Sequence, residues 1–302
     1  MTNSLVALSE HLASTVQAAG QSTVAIHARP RFDSSGVHWS PGIVVTADHT
    51  IQRDEEIHVT NSSGSVLKAE LVGRDPGTDL AVLRVAGLDS PVATRAKDAI
   101  LQSGSLILAV GRFKGSASAS FGIISSVSGP SQSSRGGRLD QVVRLDVALH
   151  PAASGGAVVN ASGELIGIAT PALSRASVFA IPLSTVERVS EKLLKHGRIP
   201  SGYLGVGFQG IAVPEQLKTK LNLTASTALI AVSVDPDAPA GHAGMMIGDV
   251  LLELGGRAIE RPENVQEVLD ADSIGKKLPA RILRGGDAME LQITVGERPR
   301  RG

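Results

Sequence analysis

Residues 151–160 read PAASGGAVVN, which places Ser154 and two glycines between an Ala-Ala pair and a short apolar run. Glycine adopts positive φ at no steric cost and serine hydrogen-bonds its own backbone, so Ser-Gly-Gly is typical of a tight turn. The stretch therefore predicts a turn that leads into a strand. Taken alone, it leaves Ser154 as either a nucleophile presented on that turn or an ordinary turn hydroxyl.

The stretch lies within a long series of short strands. Between residue 22 and about residue 182, β-branched runs such as STVAIHAR, GIVVTADHT and DLAVLRVAG alternate with the turn sequences DPG, NSSG, GPS and RGG. Helical periodicity is missing from this region. Many short strands with regular turns predict a β-sandwich or closed β-barrels.

The pattern changes after residue 182. Residues 183–202 read LSTVERVSEKLLKHGRIPSG, which predicts a helix with Ser184 as its N-cap and Gly197 at its end, followed by a linker. Strands and short helices mix after that, so a second, smaller α+β domain is expected. The predicted organisation is an N-terminal amphipathic helix (1–21), a β domain (22–192), a linker (193–202), an α+β domain (203–297) and a tail (298–302).

Composition excludes several classes of function. The 302 residues are 42% hydrophobic and 19% charged, and Lys+Arg and Asp+Glu are balanced at 29 each, so no basic excess indicates a nucleic-acid partner. Cysteine is absent, which excludes a disulfide framework and a thiolate metal site. No His pair at metal spacing and no phosphate-binding loop occurs, so we expect no metal and no cofactor. No apolar run is long enough for a membrane span.

The N-terminal segment indicates a helix rather than a secretory signal. Its apolar residues recur every three or four positions, while Glu10 and His11 interrupt any apolar run and no Lys or Arg precedes Arg29. The apolar positions are Leu5, Leu8, Leu12, Val16 and Ala19. We therefore expect a cytoplasmic location, with the periplasm as the alternative if export uses a route not visible in the sequence.

One motif matches a dinucleotide-binding pattern but lies outside the context that such a site requires. GVGFQG (205–210) satisfies the dinucleotide-binding pattern G-x-G-x-x-G, which has meaning only between a buried strand and a helix, with an acidic residue about twenty positions later. Here the motif follows the Pro/Gly linker, and residues 227–232 read TALIAV. Nucleotide binding is not expected.

A nucleophilic Ser154 needs a base and an acid that orients the base. His49 ends the apolar strand GIVVTADHT, and Asp79 lies between the DPG turn and an apolar strand, where a buried carboxylate must be hydrogen-bonded. Taken singly, each has a structural alternative: an ordinary histidine, and an aspartate that accepts from its own turn. The order His49, Asp79, Ser154 is that of the chymotrypsin-like double barrel.

Three blocks, VVTADHT (44–50), GTDLAVLRV (77–85) and the stretch from Asp146 to Thr170, resemble the catalytic blocks of the HtrA (Deg) family of trypsin-like serine proteases. FAIP (179–182) resembles the strand that closes that family's substrate cleft, and residues after 203 resemble its PDZ domain. The resemblance covers about residues 22–297. It implies a mainly β chain, with a chymotrypsin-like double β-barrel followed by a small α+β PDZ domain. By the same resemblance Ser154 is the nucleophile, His49 the general base and Asp79 its orienter.

The chain departs from the family pattern around the serine. The family usually has Gly-Asn where this sequence has Ala152-Ala153. The resemblance implies that the backbone N–H groups of Ala152 and Ser154 form the oxyanion hole. If residue 152 needs positive φ, alanine there costs about 1–2 kcal/mol. We therefore expect an oxyanion hole that is mis-set at rest and still able to support catalysis.

The PDZ resemblance implies a peptide-binding groove. The loop Tyr203-Leu204-Gly205-Val206 would bind a C-terminal carboxylate, and the peptide would add as a strand beside Gly207 and Phe208. The helix residues Val265, Val268 and Leu269 would form a wall of the groove. The alternative is that these side chains only fill the small core.

The resemblance also implies substrates and partners. These are unfolded or misfolded polypeptides with a small aliphatic residue before the scissile bond, and C-terminal peptides at the PDZ groove. Ser177, Val178 and the region of Leu149 are the expected neighbours of the specificity pocket. The family commonly forms homo-trimers through N-terminal aromatic residues, and none precedes Phe32 here. Two alternatives to an active endopeptidase stay open: an inactive binder of misfolded chains, and a PDZ adaptor.

Overall fold

A computed structural model of the chain describes residues 4–30, 32–97, 100–133, 136–174, 177–200, 202–215, 217–218, 225–269 and 273–298. The chain divides into two compact units, Met1–Ile199 and Pro200–Gly302. All of the predicted tail (298–302) after its first residue lies outside the described residues.

The N-terminal helix forms as predicted, although only part of its apolar stripe is buried. Helix α1 spans Ser4–Gln21. Leu12, Val16 and Ala19 pack against the core of the first unit, whereas Leu5 and Leu8 are exposed. The stripe therefore attaches the second half of the helix to the β domain.

The first half of the β domain is a closed antiparallel barrel, in the strand order β1-β2-β3-β6-β5-β4. Its interior is filled by Val, Ile and Leu side chains, including Ile26, Val44 and Leu83. The strands are β1 (Thr23–His27), β2 (Ser34–Ser40), β3 (Ile43–Ala47), β4 (Ile57–Thr60), β5 (Val66–Asp75) and β6 (Leu80–Val85). A 3₁₀ turn at Asp48–Thr50, here called the histidine turn, follows β3.

The second half is another closed antiparallel barrel, in the order β11-β14-β13-β12-β7-β8, and a short ribbon of β9 and β10 lies outside it. The strands are β7 (Leu106–Phe113), β8 (Ser116–Ser128), β9 (Ser131–Gln132), β10 (Arg138–Leu139), β11 (Val142–Asp146), β12 (Ala157–Asn160), β13 (Leu165–Thr170) and β14 (Val178–Pro182). A 3₁₀ turn at Pro151–Ala153, here called the serine turn, precedes Ser154. The predicted double barrel is confirmed.

Helix α2, Leu183–His196, follows β14 directly. Its N-cap is Pro182, so the prediction of Ser184 as N-cap is wrong: the last strand runs straight into the helix and leaves no turn residue between them. Gly197 ends the helix in the left-handed conformation at φ 71°, as predicted. The predicted linker (193–202) begins inside this helix, where Leu193 is fully buried, and the two units divide after Ile199.

The second unit is an α+β domain built on one antiparallel sheet, in the order β16-β17-β18-β20-β21, with β19 paired to β18 and a separate β15-β22 ribbon. Its strands are β15 (Gly202–Tyr203), β16 (Val206–Ala212), β17 (Thr227–Val234), β18 (Val250–Leu254), β19 (Arg257–Ala258), β20 (Lys277–Arg284), β21 (Asp287–Thr294) and β22 (Gly296–Glu297). Its described helices include α3 (Pro239–His242) and α4 (Pro262–Val268). Leu229, Leu251 and Ile282 are central to its core.

No helix in the described part of the chain is long and apolar enough to cross a membrane.

Candidate active site

His49 and Asp79 form a paired contact where β3 ends and β6 begins in the first barrel. The Nδ1–H of His49 donates to Asp79 Oδ2 at 2.9 Å, and the backbone N–H of His49 donates to Asp79 Oδ1 at 2.9 Å. The Asp79 side chain is fully buried, whereas the His49 side chain keeps 23% of its surface exposed. Because the carboxylate accepts at Nδ1, the proton lies there and Nε2 is left as the basic nitrogen.

Strand pairing explains why these two residues meet. Ala47 at the end of β3 pairs with Leu80 at the start of β6. The histidine turn after β3 and Asp79 before β6 therefore lie side by side. The backbone N–H of Asp48 donates to the carbonyl of Asp79 at 3.1 Å. Asp79 has φ 59°, a conformation that Asp adopts more readily than most residues and that is uncommon outside turns and functional sites.

Thr170 is a third partner, and sequence reasoning missed its role. Its hydroxyl donates a short hydrogen bond to Asp79 Oδ2, although Thr170 lies on β13 of the other barrel. The Thr170 hydroxyl is fully buried at the end of the apolar strand LIGIAT, and no motif in the sequence relates it to Asp79. The Asp79 carboxylate therefore accepts hydrogen bonds from both barrels.

Backbone hydrogen bonds hold Ser154 and Gly155 between β2 of the first barrel and the end of β13 in the second. The Ser154 carbonyl accepts from the Ser35 N–H at 3.0 Å, and the next N–H, that of Gly155, donates to Ala169 beside Thr170. Gly155 has φ 80°, and a Cβ there would lie 2.7 Å from the Ala47 backbone nitrogen, so only glycine fits.

The three predicted residues therefore lie where the two barrels meet, because the residue after Ser154 contacts Ala47 of the first barrel and Ala169 of the second. Within the described residues, the Ser154 hydroxyl makes no hydrogen bond to His49, and Ser154 is 3% exposed. Catalytic hydrogen bonds are often long in ligand-free proteins and shorten when substrate binds.

The N–H groups expected to form the oxyanion hole are occupied. The N–H of Ala152 donates to His150 Nδ1 at 3.1 Å, and the N–H of Ser154 donates to the Pro151 carbonyl at 3.3 Å. Ala152 does not have positive φ. In this conformation, therefore, both N–H groups are turned to acceptors within the turn.

The histidine turn is fixed from a neighbouring strand by Arg74. Its Nε donates to Asp48 Oδ1 at 2.5 Å, and its Nη2 donates to the Ile51 carbonyl at 3.0 Å. Burial raises the pKa of Asp48, and the hydrogen bond and charge of Arg74 oppose that rise. Arg74 thus binds the residues on both sides of His49, a contact that spacing along the chain does not indicate.

The predicted peptide-binding residues of the second unit divide into core and groove. Leu204, Val265 and Leu269 are buried in its hydrophobic core, so for these side chains the core-filling alternative holds. Gly205 has φ 79°, and a Cβ there would lie 2.0 Å from the Ala238 Cβ. Tyr203 is half-buried at the end of β15.

The edge of the sheet beside this loop is open. In the described part of the chain, strand β16 pairs with β17 along one side only, and helix α4 lies near its other side. Val206, Phe208 and Val268 are partly exposed there. An edge strand flanked by a helix can accept an extended peptide as an additional strand.

A surface groove of about 720 Å³ lies beside β11 and β14 of the second barrel. Two of the three predicted pocket neighbours, Ser177 and Val178, line it. Leu149 is not among the lining residues and packs against the core of the barrel instead.

No group of three or more side chains that could hold a metal ion occurs in the described ranges. The motif GVGFQG falls on β16 and the loop before it, not between a strand and a helix.

Comparison with known proteins agrees with the two units. Residues 34–168 match the trypsin-like peptidase domain family, and residues 202–295 match the PDZ domain family. The putative serine protease HhoB of Synechocystis is 34% identical over 272 residues, which cover 86% of this chain and 65% of that protein. A probable periplasmic serine endoprotease, DegP-like, of Ectopseudomonas mendocina is 31% identical and is covered to 55%. The chain thus spans between about half and two thirds of the length of these curated relatives.

Solved structures cover the chain more completely. The serine endoprotease from Yersinia pestis superposes with a TM-score of 0.74 at 28% identity, over 95% of this chain and 98% of that one. The HtrA-type protease AlgW with decapeptide superposes with a TM-score of 0.75 at 26% identity, over 96% and 99%. With the double barrel, the PDZ unit and these relatives in agreement, the chain belongs to the HtrA family of trypsin-like peptidases with one PDZ domain.

Proposed function

We propose that the chain is a serine endopeptidase that cleaves unfolded or misfolded polypeptides through an acyl-enzyme. The observation that carries the proposal is the hydrogen-bonded series Thr170–Asp79–His49, which lies next to the turn of Ser154 in the cleft between two barrels. Relatives named serine endoproteases share both domains.

In the proposed mechanism, each of the three residues has one role. Nε2 of His49 accepts the Ser154 hydroxyl proton as Oγ attacks the substrate carbonyl carbon, and Asp79 stabilises the imidazolium through Nδ1. When the C–N bond breaks, His49 returns that proton to the leaving amine. Water, deprotonated by His49, then hydrolyses the ester to release the acid and restore the Ser154 hydroxyl.

The second unit is proposed to bind extended peptides. The open edge of β16 supports strand addition, and the backbone of residues 203–206 is the proposed site for a C-terminal carboxylate. A related HtrA-type protease has been solved with a decapeptide, which supports a peptide ligand here. A homo-trimer stays a prediction, and light scattering of the full chain tests it.

The names of relatives bear on location. A DegP-like relative is named periplasmic, which supports the periplasm as the site of action. The cytoplasmic expectation has no comparable support. Fractionation of cells that express the chain from its own gene would separate the two.

Active-site labelling with a fluorophosphonate tests the proposal. We expect covalent labelling of the wild type, and loss of labelling in both Ser154→Ala and His49→Ala. His58→Ala, which changes an exposed histidine on another strand, should be labelled like the wild type. Mass spectrometry of the labelled peptide should place the adduct on Ser154.

A second function is favoured by the occupied N–H groups of Ala152 and Ser154. A chain that never frees them would bind misfolded polypeptides without cleaving them. Absence of labelling with and without casein, together with measurable casein binding by the folded protein, would support this binder and contradict the endopeptidase.

A further inference from the structure

The peptide group that joins Pro151 to Ala152 is held at both of its ends. Its N–H donates to His150 Nδ1 at 3.1 Å. Its carbonyl accepts from Arg29 Nη2 at 3.0 Å and from the N–H of Ser154 at 3.3 Å. The two N–H groups expected to bind the oxyanion are therefore both tied to the orientation of a single peptide group.

This arrangement makes opening of the hole a local event. Rotation of the Pro151–Ala152 peptide withdraws the Ala152 N–H from His150 and at the same time withdraws the Pro151 carbonyl from Ser154. The carbonyl of Ala152 belongs to the next peptide and is held separately by the Ser35 hydroxyl at 2.6 Å. One rotation thus frees both donors while the rest of the turn stays fixed.

We propose that His150 is a latch that holds the oxyanion hole closed. Resting on the proposed endopeptidase function, this makes His150 a positioning residue: its Nδ1 competes with the reacting carbonyl oxygen for the Ala152 N–H. The contact requires the lone pair on Nδ1, so the ring proton lies on Nε2.

The surroundings of His150 suit a contact that can be broken. The residue is exposed, and its ring lies beside the ring of Phe113, with centroids 4.9 Å apart. His150 is also the N-cap of the serine turn, and its acceptor satisfies a turn N–H as Asn or Ser does at other caps. Because the His150 ring is exposed, water can replace its contact with the Ala152 N–H. The contact therefore breaks at a small cost in free energy when the substrate carbonyl accepts from that N–H.

Two measurements on the same variants test the latch: labelling by a small fluorophosphonate and cleavage of casein. The fluorophosphonate is too small to reorganise the serine turn, whereas bound casein reorganises it. For His150→Ala we expect the second-order rate of fluorophosphonate labelling to rise about fivefold to tenfold, the shift in a turn equilibrium that loss of a cap produces. The maximal rate on labelled casein should change less than twofold, because bound casein already opens the turn. His150→Asn keeps an acceptor at the cap, so its labelling rate should stay within about twofold of the wild type.

Controls separate the latch from general damage to the site. His150→Phe keeps the ring contact with Phe113 but lacks the acceptor, so it should be labelled as fast as His150→Ala. It replaces the alanine variant in the test if that variant has a lowered melting temperature. His58→Ala is the matched histidine control and should label at the wild-type rate.

Each outcome bears on one of the two proposals. If the wild type is labelled at Ser154 but His150→Ala labels no faster, or His150→Asn labels as fast as His150→Ala, the latch is wrong and the endopeptidase stands. If no variant is labelled and casein stays intact, both the latch and the endopeptidase are wrong.

Discussion

The Thr170 hydroxyl of the second barrel donates to the same Asp79 oxygen, Oδ2, that accepts the His49 ring N–H. The acid of the first barrel is thus oriented by both barrels. Its carboxylate is fully buried, so each lost donor removes a hydrogen bond that water does not replace.

Thr170→Val should lower kcat about tenfold with little change in KM, because a hydrogen bond to a buried charged group contributes about 1.5–3 kcal/mol. Thr170→Ser keeps the hydroxyl and should restore most of the rate. Steady-state cleavage of labelled casein measures both variants. An equal loss in the valine and serine variants would mean that packing, not the hydrogen bond, is the cause.

Asp79→Asn should leave the fold intact, because Asn also tolerates positive φ, and should lower kcat by about 10⁴-fold. The physical reason is the tautomer: an amide that donates to Nδ1 places the histidine proton on Nε2, where it cannot accept from Ser154. Casein cleavage and the melting temperature are measured together. A variant that keeps more than a tenth of wild-type kcat would contradict the assigned role of Asp79.

Gly155→Ala should destabilise the first unit by more than about 3 kcal/mol, since positive φ costs alanine about 1–2 kcal/mol and its Cβ adds a clash. That Cβ would lie 2.4 Å from the Ser35 carbonyl oxygen and 2.7 Å from the Ala47 nitrogen, which are backbone atoms that cannot turn away. Gly87→Ala is the matched control, with φ 72° and open space around its Cβ. Urea unfolding followed by Trp39 fluorescence measures both; equal losses would show that the contact is unimportant.

Asp48→Asn should alter the pH dependence of stability. Burial raises the folded-state pKa of Asp48 above its ordinary value of 3.8, so the folded form binds the extra proton between the two values. The contribution of this carboxyl to the free energy of unfolding therefore decreases as the pH rises from its ordinary pKa through its folded-state pKa. The asparagine variant has no such decrease, because its side chain does not titrate.

Relative to the wild type, the free energy of unfolding of Asp48→Asn should thus increase as the pH rises above the ordinary pKa of 3.8. Urea unfolding at several pH values measures the difference. Asp54→Asn, which removes the exposed partner of Arg74, is the control for a lost charge beside that guanidinium. A difference independent of pH would contradict the raised pKa of Asp48.

Arg284→Gln should destabilise the second unit by about 3 kcal/mol, because it leaves the buried carboxylate of Asp249 without its ion-pair partner. Burial alone would raise the pKa of Asp249, but the hydrogen bonds from Arg284 and the Met246 N–H outweigh it, and the pKa is lowered. The stability of the pair is therefore present at neutral pH and lost as pH falls through the folded-state value.

The neighbouring pair of Arg281 and Glu253 supplies the control. Both side chains are 38% exposed, so Arg281→Gln should cost less than about 1 kcal/mol. Calorimetry of the full chain measures both variants. Trp39, the only tryptophan, lies in the first unit and should report no change. Equal losses for the two arginines would contradict the role given to burial.

The sequence predicted the features that depend on neighbouring residues. Short β-branched runs predicted a β-sandwich or closed barrels, the family resemblance predicted the double barrel, and Gly197 predicted the end of α2. His49 and Asp79 were paired from their order with Ser154 and from the family resemblance, and His49 Nδ1 lies 2.9 Å from Asp79 Oδ2. Ser184 was placed wrongly because nothing local reveals that β14 continues into the helix without a turn.

Contacts between residues that are distant in the sequence could not be predicted from it. Thr170 lies 91 residues from Asp79, and Arg74 lies 26 residues from Asp48; neither spacing has a pattern. His150 lies four residues before Ser154, and no motif in the sequence assigns it a role. Its contact with Ala152 depends on the side-chain angle at one cap, which residue types do not determine.

The division of the site between two barrels has a consequence during synthesis. Residues 22–85 leave the ribosome first, and they carry His49 and Asp79 but neither Ser154 nor Thr170. A chain at that stage has no nucleophile, and its aspartate lacks one of its donors. In the proposed mechanism, hydrolysis therefore requires both barrels, so a nascent chain that ends before Ser154 cannot cleave its neighbours on the same polysome.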